Sequence, residues 1–81
     1  MITLLLHINN AEPVKVDVED MPHPTDIMIV GKNPRDRKDK ELNWLDEGVT
    51  TVMFPWARIN MIQVLPDPNA QAEYPQLWRN D

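Results

Sequence analysis

Val49-Thr50-Thr51-Val52-Met53-Phe54-Pro55-Trp56-Ala57-Arg58-Ile59-Asn60-Met61-Ile62-Gln63-Val64-Leu65-Pro66 reads as two strands broken by one tight turn. Val49 to Phe54 and Ile59 to Leu65 are rich in β-branched and apolar side chains, which suit a pleated, half-buried surface. Pro55 presets its own φ and cannot donate to a ladder, so the chain must turn near Pro55–Arg58. The gap is too short for a crossover helix. It fits a sharp corner that carries a chain from one side of a small barrel to the next.

Working outward from that corner, the remainder also reads as short strands and turns. Ile2–Ile8 is apolar along most of its length, and Asn9-Asn10 is a turn signal because Asn tolerates left-handed backbone. Val14, Val16 and Val18 alternate with Lys15, Asp17 and Glu19, which predicts one buried and one wet face and an antiparallel hairpin with the first strand. Met21-Pro22-His23-Pro24-Thr25 is a loop, since two prolines so close forbid both helix and ladder. Asp26–Val30 predicts a short central strand ended by Gly31, and Lys32 to Glu41 a charged loop at a hairpin tip. Glu41–Leu45 fits a strand or a helical turn equally well, and Gly48 marks a turn before Val49. Asp67-Pro68 resembles a helix start, with Asp as N-cap and Pro at the first helical position, and Pro75 stops anything that begins there.

These elements predict an all-β fold: a small five- to six-stranded, partly open antiparallel barrel over residues 1–66. A Pro-rich tail over 67–81, irregular or briefly helical, follows it. The layout of hairpin, bent third strand, charged loop, fourth strand, tight turn at Pro55-Trp56-Ala57-Arg58 and fifth strand resembles the Sm/SH3-like small barrels. Small bacterial proteins of unassigned function with an apolar strand, a Pro-turn and an Ile-x-x-Ile ending (Ile59 to Ile62) look similar. The resemblance spans roughly Ile2 to Leu65 and is architectural. The Asp/Asn pair and the Arg-Gly that mark RNA binding in Sm proteins have no clear match, so nucleic-acid binding does not carry over with the architecture.

Composition narrows the function classes. The chain has 81 residues and no cysteine, which excludes disulfides, thiolate metal sites and thiol chemistry. A domain of this size without such staples leans on regular packing or on a partner subunit. Apolar residues make up 42% of the chain, a globular proportion, yet no run approaches a membrane span. The N-terminal segment lacks a basic leader, which makes a cytoplasmic location the expectation. The net charge of −5 disfavours non-specific binding to phosphate backbones, where affinity comes from Lys and Arg releasing counterions.

Candidate chemistry is sparse. Serine is absent too, and the threonines Thr3, Thr25, Thr50 and Thr51 have no obvious base beside them, so no catalytic residue is expected. His7 lies in an apolar strand, where a packed histidine is the plain reading. His23, with Glu19, Asp20 and Asp26, places an imidazole near three carboxylates, a weak metal or hydrolytic alternative whose spacing matches no known loop. No metal, cofactor or membrane partner is assigned. Arg35, Arg37, Lys38 and Lys40 form a charged loop, but Lys32 to Glu41 holds five cations against three carboxylates, a net of +2, as in a solvated tip. With Trp44 stacking on bases, Arg35, Arg37 and Lys38 would make a single-stranded nucleic-acid binder, the second reading.

Interaction surfaces are the better prospect. Trp56 directly after a turn proline is either packed over the open end of its own barrel or a partner anchor, with Arg58 beside it. Tyr74, Leu77 and Trp78 in the tail pose the same choice. The expectation is a non-enzymatic binding or assembly module, a homo-oligomer or the binder of a protein partner. Its strand edges, Trp56, Arg58, Tyr74, Leu77 and Trp78 would make the contacts.

Overall fold

Period-two alternation sets up a sheet with one dry face. In the computed structural model, which describes residues 1–66, β1 spans Ile2–Ile8 and β2 Val14–Val18. Leu4, Leu6, Val14, Val16 and Val18 all point to the same side and are buried, and Ile29 joins them from β3, Met28–Asp36. The turn between β1 and β2 falls on Asn9-Asn10 as expected, with Asn10 at φ 57°. β4 is Thr51–Pro55 and β5 is Ile59–Val64, joined by a single 3-10 turn at Trp56–Arg58. There is no α-helix among the described residues. The fold is all-β: five antiparallel strands in the order β4-β3-β2-β1-β5, curled into a half-barrel. The tail expected over 67–81, with its helix start at Asp67-Pro68 and its Tyr74, Leu77 and Trp78, lies outside the described residues.

The third strand departs from the sequence expectation in its bounds. It does not end at Gly31 but continues through Lys32 to Asp36, so Arg35 belongs to a strand and not to a loop. Gly31 serves a close approach: a Cβ there would lie 2.5 Å from the Cβ of Val16 on β2. The strand lies inside the sheet, paired on both sides between β4 and β2, as expected of a central strand. A bulge bends it. Lys15 faces Arg35 and Asp17 faces Lys32, so three steps on β3 oppose two on β2, with Asn33 at φ 53° and Pro34 in the irregular stretch. Charge had disguised this strand as a loop. The actual tip is Arg37–Lys40, where the Asp36 carboxylate accepts from the backbone N–H of Lys38 (2.8 Å) and of Lys40 (2.9 Å). Glu41–Leu45 is neither strand nor helix but bends and turns, with Leu42 packed against the core.

The outward face of the sheet is tied down by polar contacts. Thr3 donates its hydroxyl to Asp17 (2.9 Å), and Arg35 and Asn33 donate to the same carboxylate (3.2 Å each). Asp39 receives Lys15 at 2.9 Å and Arg35 at 3.4 Å. Leu5 also points outward yet is buried, flanked across the ladders by Lys15 and Gln63. The methylene stem of a paired lysine is suited to covering such a side chain.

Candidate functional site

Ladder geometry decides which backbone groups the sheet leaves open. Trp56 N donates to Ile27 O (3.1 Å) and Asn33 N to Thr50 O (2.8 Å), so Ile29–Phe54 and Gly31–Val52 are the mutually hydrogen-bonded pairs of β3 and β4. The backbone groups of Thr51, Met53 and Pro55 therefore point away from β3, to the open edge. Pro55 has no N–H to offer there, which shortens the edge and ends it. On the other side, Leu65 N donates to Thr3 O (2.9 Å), which makes Leu5–Gln63 and His7–Met61 the hydrogen-bonded pairs and turns the N–H and C=O of Ile62 and Val64 outward. Among the described residues the sheet thus has two open edges, one on β4 and one on β5, and the 3-10 turn links them directly.

Burial fades toward both edges. Among the described residues the seven buried apolar side chains, Leu4, Leu5, Leu6, Val14, Val16, Val18 and Ile29, all lie on β1, β2 and β3. Val52, Phe54, Ile59 and Ile62 pack on the core cluster but stay half-buried, and Met53, Met61 and Val64 are exposed. Trp56 packs against the same cluster from the corner. Its indole Nε1 is buried without an acceptor among the described residues. Packing on its own barrel was one of the two expectations for this ring. Arg58 is exposed, and its carbonyl accepts from Asn9 N (2.8 Å).

The other candidates are dispersed. Arg35 is engaged with Asp17 and Asp39 on the outward face, and its guanidinium also donates to Asn33 O (2.7 Å). Arg37, Lys38 and Lys40 stay exposed at the tip and line a shallow depression of about 460 Å³ with Glu12, Pro13 and Asp36, which Trp44 does not share. Among the described residues no three His, Asp or Glu side chains converge to hold a metal ion, so the grouping of His23 with Glu19, Asp20 and Asp26 does not form. His23 instead sits in a local turn, its Nδ1 2.8 Å from Thr25 Oγ1, while Asp26 accepts from His23 N (2.9 Å). His7 Nε2 lies 3.0 Å from Gln63 Oε1 on the outward face. No helix among the described residues is long and apolar enough to cross a membrane.

No protein-family model, curated protein or solved structure matches this chain. Residues that the sequence reading passed over are the outward apolar side chains Met28, Val30 and Met53. Val30 faces Met53 across the β3–β4 ladder. Their signal was faint, because Ile27-Met28-Ile29-Val30 is an unbroken apolar run that gives no hint of which members face water.

Proposed function

We propose that this chain is a small assembly module that acts by binding, and that it self-associates through its two open strand edges. The observation that carries this reading is the distribution of burial: neither edge strand contributes a single buried residue, although both carry apolar side chains on the inner face. Setting β4 of one copy beside β5 of the next would continue the sheet, satisfy the outward N–H and C=O groups and cover Val52, Phe54, Ile62 and Val64 together. That contact is heterologous, so it closes into a ring wherever the rotation per subunit permits. Such assembly is consistent with the resemblance to Sm/SH3-like barrels. Trp56 and Arg58, at the corner between the two edges, would stand beside the joint. The tip residues Arg37, Lys38 and Lys40 project from the far end of β3 and remain available to solvent or to a partner protein. A cytoplasmic setting fits this cysteine-free chain.

Size-exclusion chromatography with light scattering, at low and at physiological salt, tests the proposal. The expected result is a discrete mass several times the 9.4 kDa of the chain. A clean monomer at both salts would overturn it.

A further inference from the structure

A second surface lies on the outward face, away from the inner core. Val30 and Met28 point out from β3, Met53 stands opposite Val30 on β4, and Met21 approaches from the loop after β2. Their exposures are 52%, 39%, 59% and 54%, so four large apolar side chains stand in water on one side of the sheet. Met21, Met28 and Val30 line a groove of about 470 Å³ between that loop and β3. Its charged lining is one-sided. Glu19, Asp20 and Asp26 rim it together with Asp17, and the one cation among its described lining residues, Lys32, lies 3.5 Å from Glu19. Asp17 is already matched by Arg35, whereas among the described residues Asp20 has no ion-pair partner.

We infer that this groove is a docking site for a basic peptide segment that presents apolar side chains between lysines or arginines. Methionine suits such a floor, because its unbranched, polarizable side chain re-packs around differently shaped apolar anchors. The carboxylate rim supplies the complementary charge and repels phosphate backbones, which points to a protein segment and away from a nucleic acid. A second copy docking by the same face would set carboxylates against carboxylates. The chain's own basic stretch, Arg35 to Lys40, brings charge but no apolar side chain to meet the methionines. The surface is distinct from the backbone edges, so the inference stands or falls independently of self-association.

The probe is a short fluorescein-labelled peptide of leucine and lysine, titrated with the full chain and followed by fluorescence anisotropy. A leucine–glutamate peptide of equal apolar content is the control. The lysine peptide is expected to bind, more weakly as salt rises, and the glutamate peptide not to bind. The triple variant Met21→Thr, Met28→Thr, Val30→Thr removes the apolar lining and keeps the charge, and it should weaken binding by about tenfold. Glu19→Gln with Asp20→Asn leaves the apolar floor intact and should also weaken it by about tenfold. Circular dichroism checks that both variants remain folded. No binding of the lysine peptide overturns the inference, as does equal binding of both peptides. Unchanged binding by the triple variant also overturns it, because the attraction would then be charge alone. A fall in oligomer mass on the triple substitution, without peptide binding by the parent chain, would reassign the face to contacts between copies.

Discussion

Gly31 and Asp17 are the two positions where single atoms decide most. At Gly31 the missing side chain is filled by Val16, whose Cβ and Cγ2 would lie 2.5 and 2.6 Å from an added Cβ. Backbone or a branched core side chain must then shift, so Gly31→Ala is expected to destabilise the fold by about 1–3 kcal/mol, read as a lower urea midpoint. At Asp17 burial alone would raise the carboxyl pKa. The hydrogen bonds from Asn33, Thr3 and Arg35, with the charge of Arg35, outweigh that and hold it below its ordinary 3.8. A carboxylate with a lowered pKa in the folded state contributes stability above 3.8 that is lost as the pH falls through the folded value. Asp17→Asn should therefore flatten the decline in stability at acid pH while lowering stability at neutral pH by about 1–2 kcal/mol. Thermal melts across the acid range check both statements, and an unchanged acid slope would show that Asp17 carries no linkage.

The edge strands offer a test in which two neighbouring residues behave oppositely. Met53 directs its N–H to the open edge, whereas Phe54 uses its own within the ladder to Ile29. Met53→Pro should leave the monomer folded and reduce the mass seen by light scattering. Phe54→Pro should unfold the chain, because it removes a ladder hydrogen bond together with the aromatic ring packed on the core. If Met53→Pro keeps the parent mass, β4 is not a joint. The strands themselves were legible to different degrees. Val14–Val18 and the Pro55 corner could be read directly, because alternation and proline act locally. The far half of β3 could not, because Gly31 is explained by a neighbour on another strand and Lys32 to Asp36 carry charges that the outward face tolerates. The open edges were equally hidden, since which N–H groups face outward depends on register, a property of pairs of strands.

For the molecule as a whole, the sequence-distant pairing is confined to one seam. β1–β2, β2–β3 and β3–β4 are all neighbours in the chain, while β5 returns to lie beside β1. At that seam His7 meets Gln63 across 56 positions. Closing so long a loop costs entropy before any contact rewards it, so the first four strands can zip up as a meander and wait for the fifth. Ile62→Val should consequently accelerate unfolding and leave the refolding rate nearly unchanged in stopped-flow measurements, the behaviour of a strand that docks after the barrier. An equal slowing of refolding would place β5 in the nucleus instead. During that wait β1 is itself an edge, with Leu4, Leu5 and Leu6 beside unpaired backbone. The kinetic hazard of this fold therefore sits on its most apolar strand, and a newly made chain is protected from aggregation only once its last strand arrives.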